Sequence, residues 1–295
     1  MGTGFKDSII EFQGNKYYIE KLSEGTYTIS RIKRTLYRKR SKYQQIEIIE
    51  IENCGKALFL DGALQFCTKD EHVYHEIFVH PPMLAHEDPR KVLIVGGGDG
   101  GVLREVLKYK CVKKVDLVEI DRDVVEAVKK FMPDIPAGAF NDRRVSVYFE
   151  DGLKFIKRTD GKYDVMFIDV TDSIGPSTVF YKAETYSLLK DKIYENGIVV
   201  YQALGSLEHK GAQLKIKAGL ERKFKHVNLY AVYVPNFCQL WFFAAASDVI
   251  DLESIDAETI EKRFEERNIN TRFYTPTIHA ALVNAELCMK YLAAH

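Results

Sequence analysis

The chain has 295 residues, long enough for a large core and for more than one domain. Lys plus Arg and Asp plus Glu balance at 42 each, so no global field favours nucleic acid or a membrane surface. Five scattered cysteines, Cys54, Cys67, Cys111, Cys238 and Cys288, form no CxxC pair; they predict neither a disulfide framework nor a zinc site and fit a reducing cytosol. No apolar run reaches membrane-spanning length and the first residues lack a leader's apolar stretch, so a soluble, cytoplasmic protein is expected.

Residues 1–87 predict a small antiparallel β-domain. Lys16–Ile19, Gly25–Arg34, Gln44–Ile51 and Ala57–Leu60 are β-branched or alternating, and glycines at 14, 25, 55 and 62 mark turns. Arg31, Lys33, Arg34, Arg38, Lys39, Arg40 and Lys42 crowd one stretch; a solvated strand and turn is the plainer reading, a nucleic-acid contact the alternative. Cys67–His80 reads as a helix with Tyr74, His75 and Glu76 among apolar positions. His72, His75 and Glu76 share a helical face as metal ligands would, but nothing nearby completes such a set. Pro81 and Pro82 should end this helix, and Pro89 precedes the next element.

The centre of the sequence is KVLIVGGGDGG, Lys91 to Gly101. Val92–Val95 reads as a buried strand running through a glycine turn into the amphipathic Val102–Tyr109, an arrangement that presents helix N–H groups to a ligand. Glu119 ends the next apolar run about twenty residues on, a spacing suited to a ribose hydroxyl pair. Asp99 lies where a pyrophosphate would otherwise sit, and its charge points instead to a cationic adenosine ligand.

The alternation then repeats. Strands are predicted at Val115–Ile120, Val145–Phe149, Tyr163–Ile168 and Gly197–Tyr201, and helices at Arg122–Phe131, Gly152–Lys157, Ala183–Leu189 and Lys210–Phe224. Val227–Val234 and Leu240–Ala246 close the sheet, and Ala257–Arg267 and Ile278–Leu292 form a helical tail. Residues 88–295 therefore predict an α/β domain with a mainly parallel sheet, resembling the Rossmann-like AdoMet type. Ligands in such sheets bind beyond the carboxyl ends of the strands, where Asp99, Glu119, Asp151 and the pair Asp169 and Asp172 all stand. A mouth this acidic wants a cation.

The segments SKYQQ, LDGALQ, KDEHVYHE, VLIVGGGDGGVLRE, VEID, FEDG and IDVTDSIGP resemble, in order and spacing, the polyamine aminopropyltransferases of the spermidine synthase family. The resemblance implies transfer of an aminopropyl group from decarboxylated S-adenosylmethionine to a polyamine amine, releasing methylthioadenosine. It also implies a homodimer or homotetramer and no metal or redox cofactor. Asp99 would pair with the donor's ammonium, Glu119 with the ribose and Asp151 with adenine. Gln44, Gln65 and His75, with Gly96, Gly98 and Gly152 of the two turns, would complete the donor site. Asp169, Tyr74 and the Val170 carbonyl would surround the attacking amine, and Asp172 and Phe237 would line the acceptor.

The residues suit this chemistry on their own terms. Decarboxylation leaves the donor with a sulfonium and a primary ammonium, which a carboxylate in the glycine loop attracts. An ordinary Asp, with a pKa of about 3.9, is a poor base for an alkylamine near 10.4. Asp169 is therefore expected to act electrostatically at least as much as a base, since positive charge appears on nitrogen as it leaves sulfur. Two features depart from the family pattern: Ser173 replaces a common Pro, and the segment from Val234 to Asp248 carries Phe237 where typical spermidine synthases have a longer segment with a Tyr. The latter resembles thermospermine synthases and members using agmatine. Putrescine is the first expectation, with agmatine, cadaverine or spermidine as competitors. An AdoMet-dependent methyltransferase is the alternative enzyme class, and a non-catalytic binder the third reading.

Overall fold

The computed structural model describes residues 8–171, 175–206, 211–282 and 290. The first six strands, β1 (Ile9–Phe12), β2 (Asn15–Ser23), β3 (Thr26–Arg40), β4 (Gln45–Ile51), β5 (Gly55–Leu60) and β6 (Ala63–Cys67), pair antiparallel in chain order. Alternation gives the sheet two faces. Ile46, Ile48, Leu58 and Phe66 pack on Val124, Ala127 and Val128, while Tyr18, Ile49, Ile51 and Phe59 cluster on their own. β1 and β6 were not expected, being short.

The basic stretch is mostly strand, because β3 continues to Arg40. Arg31, Arg34, Arg38, Lys39 and Arg40 face Glu52, Glu50, Glu47, Asp123 and Asp61. The register sets Arg34 opposite Glu50 and Arg38 opposite Glu47, so cross-strand pairing neutralises these two charges of the run.

Two expectations are corrected here. Cys54 and Cys67, read as free thiols, are joined as a disulfide with Cα atoms 5.7 Å apart. The β5–β6 register brings Cys67 opposite Ala57, beside the turn that holds Cys54, and this neighbourhood exists only once the strands pair. The helix expected to stop at the prolines, α1 (Glu71–Ala85), runs through Pro81 and Pro82. Proline removes an N–H from the ladder, and the Phe78 carbonyl left by Pro82 accepts from the Tyr230 hydroxyl at 3.3 Å instead. The last carbonyls of α1 accept from Arg263 and Arg267, on and just after α7 (Ala257–Glu266).

The second sheet comprises β7 (Lys91–Gly96), β8 (Lys114–Glu119), β9 (Val145–Phe149), β10 (Tyr163–Asp169), β11 (Ile193–Gly205), β12 (His226–Val234) and β13 (Gln239–Ser247). Their order is β12-β13-β11-β10-β7-β8-β9, parallel except that β13 runs antiparallel between β11 and β12. α2 (Gly101–Leu107), α3 (Arg122–Phe131), α4 (Gly152–Arg158), α5 (Ala183–Asp191) and α6 (Ala212–Glu221) connect the strands. This is the expected Rossmann-like α/β sheet. The chain enters at β7, winds outward through β8 and β9, then returns to build β10 and β11 on the other side. The crevice between β7 and β10 is thus the topological switch point. α8 (Pro276–Leu282) begins the last expected helix, most of which lies outside the described residues. Among the described residues no helix is long and apolar enough to cross a membrane.

Candidate active site

The two strands at the switch point end beside each other. Gly96 pairs with Asp169 in the register, its φ is +83°, and a Cβ there would collide with the Asp169 main-chain oxygen. Glycine is therefore required for the loop to cross so closely. The Gly97 N–H then donates to the Asp169 carbonyl at 3.2 Å, locking the loop to the end of β10.

Above these ends opens a cavity of about 440 Å³, walled on the far side by β5, β6 and the Tyr43–Gln44 turn of the first sheet. Gln44, Gln65, Tyr74, His75, Gly96, Gly98, Asp99, Glu119, Asp151, Gly152, Asp169, Val170 and Phe237 all line it. Of the residues expected at the site, only Asp172 lies outside the described residues.

Local structure sets each carboxylate. Asp151 caps α4, its Oδ1 accepting the Lys154 N–H at 3.0 Å. Glu119 accepts the Asp121 N–H at 2.8 Å, and a Cβ on Gly98 would come within 2.8 Å of Glu119 Oε2, so the loop lies directly on this carboxylate. Burial pushes the Glu119 carboxyl up to about 7. Asp121 Oδ2 in turn accepts from Ser41 Oγ at 2.6 Å and Gln44 Nε2 at 3.0 Å, which latches the SKYQQ turn to the end of β8.

The Tyr74 hydroxyl donates to Asp169 Oδ1 at 2.7 Å. Burial and the nearby Asp99 charge push the Asp169 carboxyl up to about 7, despite the opposing influence of His75 and Tyr74. Burial also pulls Asp99 upward, but the His75 charge and the Gly101 N–H outweigh it and hold Asp99 below the usual carboxylate range. The two carboxylates are thereby driven apart: Asp99 stays ionised while Asp169 titrates near neutrality. The base-strength difficulty raised by an ordinary Asp is correspondingly smaller here.

His75 and Glu76 have other engagements than a metal. His75 lies between Asp99 and Glu71, and Glu76 accepts the N–H groups of Arg272, Phe273 and Tyr274. Among the described residues no group of three or more His, Cys, Asp or Glu side chains is arranged to hold a metal ion.

Residues 71–256 match the spermine/spermidine synthase domain, and residues 17–68 the spermidine synthase tetramerisation domain. The chain belongs to the spermine/spermidine synthase family. A polyamine aminopropyltransferase of Korarchaeum cryptofilum is 36% identical over 97% of this chain and 89% of its own length. One from Hydrogenobaculum sp. is 40% identical over 86% of each chain. A crystal structure of a spermidine synthase in complex with the transition state analogue AdoDATO superposes with a TM-score of 0.88 at 28% identity, covering 95% of both chains.

In this member of the spermine/spermidine synthase family several residues at the cavity escaped the sequence reading. Gln202 donates through Nε2 to the Val170 carbonyl at 2.7 Å, and Trp241 lies 4.8 Å from the Phe237 ring, centroid to centroid. Phe237 sits in a short turn, Pro235–Phe237, tied to the start of α1 by the Asn236 N–H donating to Asp70 Oδ2 at 2.8 Å. Gln202 and Trp241 fall inside strands, where nothing in the local sequence marks a ligand face. Glu71 and Arg104 had a signal: Glu71 is four residues before His75, and Arg104 is one turn into the helix that follows the glycine loop.

Proposed function

We infer that this chain transfers an aminopropyl group from decarboxylated S-adenosylmethionine to a primary amine of a polyamine, releasing methylthioadenosine. The observation that carries the reading is Asp99, a carboxylate kept ionised in the glycine loop at the wall of the cavity that Asp169 also lines. It suits a ligand with an ammonium at this position and opposes one with a carboxylate, as AdoMet has. In our assignment Glu119 receives the ribose hydroxyls, Asp151 the adenine amino group, and Gln44, Gln65 and His75 complete the donor pocket with Gly96, Gly98 and Gly152. The amine enters between Tyr74, Asp169 and the Val170 carbonyl, with Asp172 and Phe237 toward the rest of the acceptor.

The amine nitrogen attacks the carbon beside sulfur, the new C–N bond forms as the C–S bond breaks, and sulfur takes the bonding pair. Asp169 accepts the proton that nitrogen sheds and, while ionised, stabilises the positive charge growing there. Tyr74 orients the carboxylate. No metal or redox step is needed.

We take putrescine as the acceptor, giving spermidine, with agmatine, cadaverine and spermidine as the competitors to test. The enzyme assembles as a homo-oligomer, and we assign the contact to the first sheet, where Phe12, Tyr27 and Ile29 are 59%, 54% and 61% exposed. We place it in the cytoplasm, a reading supported by the free Cys111 and Cys238. The Cys54–Cys67 bond is the feature that counts against this placement, since a reducing compartment keeps thiols reduced.

Mass spectrometry of the products, with the donor and all four amines competing in one reaction, tests the proposal. One dominant aminopropylated amine with stoichiometric methylthioadenosine is expected. Methyl transfer from AdoMet with no aminopropylated product would overturn it.

A further inference from the structure

We propose that Glu71 and Arg104 are positioning residues for the transfer, acting through His75 to fix the Asp99 carboxylate where the donor's ammonium would lie. The proposal rests on the donor placement given above. Its basis is an unbroken line of charged groups beneath the glycine loop.

His75 is 2% exposed, and both its ring nitrogens face carboxylates: Nδ1 lies 2.6 Å from Glu71 Oε2 and Nε2 lies 3.3 Å from Asp99 Oδ1. A ring with an acceptor on each side donates to both only when both nitrogens carry protons. Helical spacing delivers Glu71, four residues earlier on the same face of α1. Arg104 then grips Glu71 with a fork, Nη1 at 3.2 Å from Oε1 and Nη2 at 2.8 Å from Oε2. Nη1 also donates to the Ile135 carbonyl at 2.7 Å and Nε to Glu105 Oε1 at 2.8 Å, so every guanidinium nitrogen is held. Planar, two-pronged contact of this kind fixes orientation as well as charge.

The far end of the line reaches the cavity. Asp99 Oδ1 accepts the Gly101 N–H at 2.6 Å as well as facing His75, which leaves Oδ2 without a protein partner among the described residues. A side chain on Gly101 would overlap the His75 imidazole, so α2 starts directly on that ring. The signs alternate from Asp99 through His75 and Glu71 to Arg104. Their effect on the groups agrees: Asp99 and Glu71 overcome the burial that would lower His75, raising it to about 10, while His75 and Arg104 overcome the burial that would raise Glu71, holding it at about 2. A buried ion pair gains little stability over apolar packing of the same volume. Its position behind the donor loop is what gives it a use.

The test is calorimetric titration of full-length wild type and Glu71→Gln with decarboxylated AdoMet and, separately, with methylthioadenosine, which lacks the ammonium. We expect donor affinity to fall roughly 10- to 100-fold, the loss of one charge-assisted hydrogen bond, with methylthioadenosine affinity unchanged. Donor KM should rise while kcat at saturating donor is retained. Arg104→Lys, which keeps the charge and loses the fork, should give a smaller loss of the same kind. In an Asp99→Asn background Glu71→Gln should add nothing. Equal weakening of both ligands, or a further loss in the Asp99→Asn background, would overturn the proposal in favour of a merely structural pair. If wild type shows no preference for decarboxylated AdoMet over AdoMet, the donor placement itself fails, and the proposal with it.

Discussion

The hydroxyl of Tyr74 and the Oδ1 of Asp169 meet at 2.7 Å across 95 residues of chain, one from the first turn of α1 and the other from the last position of β10. The bond favours the ionised carboxylate, while burial and Asp99 favour the protonated one. Asp169 is poised between the two forms by groups from α1 and from the glycine loop.

Asp169→Asn keeps the shape and removes the charge. Turnover should fall about 10²- to 10⁴-fold, the span of a lost general base, with donor affinity nearly intact. Methylthioadenosine release together with donor calorimetry measures both, and near-normal turnover would remove Asp169 from the mechanism.

With Asp169 raised to about 7, the acid limb of kcat/KM should fall near that pH, and Tyr74→Phe should move the limb upward because the hydroxyl favours the carboxylate. The same shift sets a stability trend. Asp169 and Glu119 both have folded values near 7, above their unfolded ones, so their contribution is fully present below about pH 4. It is lost as pH rises through 7. The ligand-free protein should therefore lose stability from these two groups between about pH 4 and 7, and the cationic donor should restore it. Melting temperature against pH, with and without donor, reads this directly.

Phe237 packs beside Trp241 and 6.3 Å from the Tyr74 ring. Phe237→Tyr adds a hydroxyl at this aromatic wall, and relative kcat/KM for putrescine should change against that for agmatine and spermidine. An acceptor profile identical to wild type would move Phe237 out of the acceptor pocket.

The Cys54–Cys67 bond closes a separation of 13 residues. Cys54→Ser or reduction should cost about 3 kcal/mol in denaturant unfolding, as loop closure of this length implies, while leaving donor affinity unchanged. A variant as stable as wild type would mean that the unfolded chain is not constrained by this link.

The parts of the site that could be read from the sequence are those written locally. Asp99, Glu119, Asp151 and Asp169 each follow one apolar run, so the end of a strand and the chemistry at its tip are legible together. Phe237, which lines the cavity, stands out only as a departure from the longer, Tyr-bearing segment of typical spermidine synthases. The prolines of α1 misled because the group that satisfies the Phe78 carbonyl, Tyr230, comes from a strand 152 positions away. The disulfide was hidden for a similar reason, since hairpin register and not spacing brings Cys54 to Cys67. Gln202 and Trp241 look like any strand residues until β11 is laid beside β10 and β13 beside β11.

The contacts of α1 with the tail bear on how this protein matures during synthesis. The helix that carries Tyr74 and His75 is translated early, yet its final carbonyls wait for Arg263 and Arg267, and its Glu76 carboxylate waits for the N–H groups of Arg272, Phe273 and Tyr274. A nascent chain lacking those last residues leaves this carboxylate and the helix-end carbonyls to be satisfied by water. The helix that carries Tyr74 and His75 leaves the ribosome well before the tail that completes it.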